Sequence, residues 1–182
     1  MPSTGNSLRG VLNFCTQCLT GFLLTILVSC GESEQRSSID PVNWDKRMVK
    51  HAIADSLIEG STYLSVYSQI YSQDENRTHD LTATVSMRNT NRQDTIYLSS
   101  ADYFDTHGTL IRSYFSKRIF IRPMETVEII IDEVDKDGGT GANFIFDWQV
   151  PEGALPPHFE AVMISTYGQQ GLSFTTQGVI LK

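Results

Sequence analysis

A chain of 182 residues with 14 Lys+Arg against 21 Asp+Glu carries a formal net charge of −7, and so has no general attraction for nucleic acid or for anionic headgroups. Its hydrophobic content of 40 %, with 10 % aromatic residues, is enough for one buried core and excludes a disordered chain. The length suits about one domain, since domains commonly run to roughly 100–150 residues.

Residues 1–29 stand apart from that domain. Arg9 is their only charged side chain, and GFLLTILV at 21–28 is an apolar run. Asn13, Thr16, Gln17 and Thr20 interrupt the apolar character upstream, and a membrane-spanning helix needs about 20 predominantly apolar residues. A signal peptide is therefore expected, with an uncleaved anchor as the alternative. The segment ends in LVSC at 27–30, which resembles a bacterial lipobox. The resemblance implies cleavage before Cys30, a diacylglycerol on its sulfur and an acylated (palmitate-type) amino terminus. Several acyl chains at about 0.8 kcal/mol per buried CH₂ make a stable anchor where one would be marginal. Cys15 and Cys18 have the C-x-x-C spacing of redox and zinc sites, but both lie in the segment to be removed. Cleavage leaves Cys30 as the sole cysteine, so the exported chain has no disulfide, and loss of Arg9 moves the net charge from −7 to −8.

Residues 30–38 are polar and read as a tether between lipid and domain. Gly31, rather than an aspartate, follows Cys30; by resemblance to the known sorting rule this favours the outer membrane, on its periplasmic or surface face. In 39–60, Asp40 and Pro41 suit a helix start, and Val49, Ala52, Ile53, Ser56 and Leu57 have helical spacing. One short helix or an extended arm is expected there.

From residue 61 the period changes to two. STYLSVYSQIY at 61–71 sets Leu64, Val66 and Ile70 on one face and Tyr63, Tyr67 and Tyr71 on the other. The tyrosines are good strand residues with an apolar body and a wet tip, and need no ligand to explain them. Leu81, Ala83, Val85 and Met87 alternate with Thr82, Thr84, Ser86 and Arg88, which is a strand with one face on a core. Asn89, Thr90 and Asn91 break the pattern, β-rich residues resume at Thr95, and DTHG at 105–108 turns the chain. Val127, Ile129 and Ile131 alternate within 125–133. After a glycine-rich loop, Ala142, Phe144, Phe146 and Trp148 share one face as the strongest core strand of the second half. Two more strands are expected at 159–167 and 172–181. About eight strands with turn chemistry between them predict an all-β, antiparallel β-sandwich of immunoglobulin-like type over 61–182.

The blocks GSTYLSVYSQIYS, LTATVSMRNT, ADYFDTHG, GGTGANFIFDW and EAVMISTYGQQGLSFTTQG resemble the bacterial family known as domain of unknown function 3124, over residues 60–178. The resemblance implies an exported, often lipid-anchored protein. It carries no established activity, substrate or catalytic residue.

Motifs for chemistry are weak. With Glu133 at position one of a calcium loop, Asp135, Asp137 and Gly138 fall at the third, fifth and sixth places, but the twelfth, which needs a bidentate glutamate, is Phe144. The glycines of 138–141 lack a following helix or P-loop lysine, so a turn explains them more simply than a phosphate nest. There is no G-x-S-x-G, and the four histidines, 51, 79, 107 and 158, have no short metal-ligand spacing and read as loop residues. No catalytic residue, metal or cofactor is expected.

If each strand crosses the domain once, successive loops alternate between its ends. Loops 72–80, 105–108, 134–141 and 168–171 then share one end, with His79, Asp80, Asp105, His107, Asp135, Asp137, Gly139, Gly141, Gln169 and Gln170 as the candidate binding residues. The opposite end collects 90–94, 116–125 and 150–158. A separate strand at 119–122 would shift this count by one. The function expected is a non-catalytic, membrane-anchored envelope module that binds an envelope protein or glycan. The alternative is a metal-dependent or hydrolytic enzyme built from loop Asp and His residues.

Overall fold

The structure, a computed structural model, describes residues 42–50, 56–166 and 170–181; the signal segment, Cys30, the tether and Gln169 lie outside the described residues. The first element is one helical turn, α1 (Trp44–Arg47), capped by Asn43, whose side chain accepts from the Lys46 N–H at 3.1 Å. Among the described residues, everything after it is strand, turn or loop.

Two antiparallel sheets face each other across the core. The first runs β12 (Val179–Ile180), β1 (Leu57–Ser65), β9 (Asn143–Pro151) and β5 (Ile96–Phe104), with β6 (Leu110–Ser113) and β7 (Ile119–Ile121) both on the outer side of β5. The second runs β11 (Leu172–Gln177), β10 (His158–Ser165), β4 (Thr82–Arg88) and β8 (Thr126–Ile131). β2 (Gln69–Ser72) and β3 (Asp74–Asp80) form a separate hairpin. The all-β antiparallel sandwich is thus as expected from the alternation.

Burial follows the period of two. Leu81, Ala83, Val85 and Met87 are fully buried, as are Phe144, Phe146 and Ile131. Tyr103, Phe144, Phe146 and Phe159 form a run of stacked rings with successive centroids 4.8, 5.3 and 4.3 Å apart. The last step joins β9 to β10, so it ties one sheet to the other.

Several expectations need correction. Among the described residues there are twelve strands rather than about eight, because short strands occupy stretches expected as loops. The strand expected over 61–71 begins earlier, at Leu57, and ends at Ser65. Ser68 is fully buried, donating to or accepting from the Tyr103 hydroxyl at 2.7 Å while its carbonyl takes the Leu81 N–H, and this breaks the run before β2. The last expected strand divides at Gly178, which crosses from the second sheet to the first. A Cβ there would lie 2.7 Å from Thr62 Cγ2. His79 lies in β3 and His158 in β10, not in loops. The described helical turn within 39–60 is at 44–47; of the residues whose spacing suggested a helix, Ala52 and Ile53 lie outside the described residues, as does His51, and Leu57 is in a strand.

Residues 119–121 do form a strand, yet the loop count survives. β6 pairs with the second half of β5 and β7 with its first half, both antiparallel and in line. Together they cross the sheet once, interrupted by 114–118.

Candidate functional site

The loops 66–81, 105–109 and 132–142 meet at one end of the sandwich, because β1 ends there against the start of β9, and β5 and β8 end beside them. Hydrogen bonds join all three directly. The Thr106 N–H and Oγ1 both donate to the Gly138 carbonyl, at 3.1 and 3.0 Å, and Thr106 Oγ1 accepts from the Gly141 N–H at 2.9 Å. The Gly139 carbonyl accepts from the Gln69 N–H at 3.1 Å. Gly139 has φ 70, and a Cβ on Gly138 would stand 2.0 Å from the Tyr103 hydroxyl oxygen. The glycines therefore serve close packing of 135–141 on Thr106 and Tyr103.

Asp80 is the electrostatic joint. It binds Lys136 Nζ at 2.6 Å and Gln69 Nε2 at 2.7 Å, and the Lys136 contact first, then Gln69, holds its carboxyl below the usual range. Asp135 pairs with Arg112 at 3.1 Å. Asp105 closes its own turn: Oδ1 accepts from the N–H groups of His107 and Thr109, each at 2.8 Å, and these bonds, Thr109 foremost, lower its pKa. His107 and Asp137 are exposed at the tips, as is Gln170 in the next loop.

A cleft of about 520 Å³ opens on this end between the β2–β3 hairpin and Glu133, lined by Gln73, Asn76, Arg77, His79, Asp80 and Glu133. Gln73 turns the hairpin at φ 71 and its Oε1 accepts from Arg77 at 2.9 Å. Of the expected residues, the cleft includes His79 and Asp80. Asp105, His107, Asp135, Asp137, Gly139 and Gly141 form the adjoining braced loops rather than the cleft wall.

Arg77, Lys136 and Thr106 were not among the expected residues, and Glu133 entered only as position one of the unmatched calcium loop. β3 is DENRTHD, polar at every position, so no apolar alternation marks it as a strand. Thr106 was hidden inside a turn whose aspartate and glycine explained it already.

Residues 59–181 match the family model described as Protein of unknown function (DUF3124). No curated protein matches the chain. Among solved structures the chain is similar to the "Crystal Structure of Thermotoga maritima 1070", with 9 % identity and a TM-score of 0.43, over 66 % of this chain and 92 % of that one.

Proposed function

The chain belongs to that family of proteins of unknown function, and from this premise we propose that it is a lipid-anchored, non-catalytic binding module of the bacterial cell envelope. Cys30 carries the anchor, in the outer membrane, and the cleft between the β2–β3 hairpin and Glu133 receives an envelope protein or glycan. The observation that carries this reading is the bracing of the loop end. Three loops are tied by backbone and threonine hydrogen bonds and by the Asp80–Lys136 and Asp135–Arg112 pairs, so polar groups are presented on a preset surface. Binding to a preset surface avoids much of the cost of ordering loops.

Asp80 and Asp105 are held below their usual range, by Lys136 and by backbone N–H groups respectively, so neither is set up as a general acid.

Two measurements test the proposal. A fatty-acid analogue should label the wild-type protein and leave Cys30→Ala unlabelled; equal labelling would remove the anchor. Affinity capture from envelope membranes should retain a partner with the wild type and lose it with an Arg77→Glu, Glu133→Lys double variant. A partner retained by both would place binding elsewhere on the domain.

A further inference from the structure

At the end opposite the cleft, Asn91 ties two loops together. Its carbonyl accepts from the Met124 N–H at 3.1 Å, its Oδ1 accepts from the Leu155 N–H at 2.8 Å, and its Nδ2 donates to the Leu155 carbonyl at 2.9 Å. Each loop holds an apolar side chain out in solvent, Met124 67 % exposed and Leu155 58 %. Met124 does so at φ 58, in the left-handed region. Glycine or asparagine would make this turn without strain, so the turn does not account for a methionine at its tip.

The chemistry beside these tips is cationic. A cleft of about 300 Å³ is lined by Val42, Lys46, Phe120, Arg122 and the Arg47–Glu125 pair. Lys46 and Arg122 are exposed and form no ion pair with a described residue; the Arg122 guanidinium lies 5.6 Å from the Phe120 ring centroid. Arg92, next to Asn91, is exposed too, and Lys50, Lys117 and Arg118 continue the positive surface along the β7 edge, where Val49 N–H bonds to the Arg118 carbonyl. Against these stand Asp45, Asp94, Glu152 in the Leu155 loop, Glu59 bonded to Gln149, and the already paired Glu125. Val42, just before α1, lines this same cleft.

We propose that this corner docks on an anionic phospholipid surface, with Met124 and Leu155 entering the headgroup–acyl boundary and a headgroup phosphate seated between Lys46 and Arg122. Apolar tips ringed by Lys and Arg are the combination that holds a protein at a membrane interface. The net charge of −7 does not oppose it. Asp74, Glu75, Asp80, Asp105, Asp132, Glu133, Asp135 and Asp137 lie at the cleft end, and a nine-residue strand such as β1 spans about 30 Å, several times the roughly 8 Å Debye length at physiological salt. Docking here turns the cleft away from the membrane. The proposal rests on the lipid-anchored reading for the nearness of the membrane, not for the surface itself.

The test uses the full-length lipoprotein carrying Met124→Cys or His107→Cys, labelled with an environment-sensitive fluorophore. It is reconstituted in vesicles of phosphatidylcholine alone or mixed with phosphatidylglycerol. The label at position 124 should shift to the blue and be quenched by a lipid-borne quencher, the label at 107 should not, and phosphatidylglycerol should raise the quenching at 124 about twofold or more. Lys46→Glu with Arg122→Glu, both surface changes, should abolish that increase, and Leu155→Glu should reduce the blue shift. Equal responses at 124 and 107 overturn the proposal, as does a response at 124 that ignores both phosphatidylglycerol and the charge reversals. Complete competition by soluble glycerol phosphate would make free phosphate, not a membrane, the ligand. Fatty-acid labelling of Cys30 is scored on the same samples, so loss of the anchor and loss of docking are read apart.

Discussion

Asn89 and its neighbour Asn91 show how much one buried amide can organise. Asn89 is 2 % exposed; its Nδ2 donates to the carbonyls of Asp94 and Ile121 at 2.8 and 3.0 Å, and its Oδ1 accepts from both the N–H and Nδ2 of Asn91, each at 2.9 Å. Asn89→Asp keeps the shape but sets an oxygen against two carbonyls. Each orphaned buried group costs about 1–3 kcal/mol, so urea unfolding at neutral pH should show a loss of at least about 3 kcal/mol. Tyr103 supplies the alkaline limit. Its buried hydroxyl, hydrogen-bonded to Ser68, has its pKa pushed up by burial from 10.0 to about 12. Between those values the unfolded chain releases the proton while the folded chain keeps it, so stability is complete below pH 10 and falls as pH rises through 12, by about 3 kcal/mol in all. The sign reverses for Asp80, Asp105 and Glu125, held low by Lys136, by the Thr109 N–H and by Arg47 respectively. What they contribute is present above the ordinary carboxylate range and is lost as pH falls through their lowered values. A urea midpoint followed from acid to alkaline pH should therefore show a plateau that declines at both ends.

Among the elements, the β1–β9 pair is the most tightly constrained. Gly60 lies opposite Trp148, whose indole covers it so closely that a Cβ would meet the ring at 2.2 Å, and Trp148 Nε1 donates to Thr62 Oγ1 at 2.9 Å. Trp148→Ala should cost about 3–5 kcal/mol, the usual range for a buried aromatic. Gly60→Ala should cost about 1–3 kcal/mol through overpacking. Removing the ring removes the clash, so the double variant should be more stable than the sum of the two losses predicts, a coupling that a double-mutant cycle in urea measures directly. Strict additivity would mean the ring does not cover Gly60.

At the scale of the molecule, the segment 42–50 lies outside the family-matched residues 59–181, yet it packs on them. The Trp44 ring sits 5.2 Å from Phe115 and 6.4 Å from Tyr114, and Met48 bridges to Ile119. Trp44→Ala should lower stability by about 2 kcal/mol, in line with the area of one partly buried indole, and should leave the cleft at the far end unchanged. Calorimetry of the variant, with partner capture in parallel, separates the two effects. The sandwich thus has two unlike ends, one acidic and braced, one carrying cations and apolar tips beside α1.

The strand faces were legible in the sequence because alternation is a local property: Leu81 to Met87 and Phe144 to Trp148 each report their own burial without reference to any other segment. The turn residues were legible too, though the all-polar β3 was not, since a strand held by backbone pairing alone leaves no apolar period. Loop counting brought 105–108 and 134–141 to one end, yet only the tertiary structure shows why 119–121 does not disturb the count, because β6 and β7 share one edge of β5. The partners of Asp80, Gly138 and Asn91 lie tens of residues away, and nothing local encodes them. They are chosen by which strands pair and where the chain crosses between sheets, and that choice belongs to the packed core as a whole.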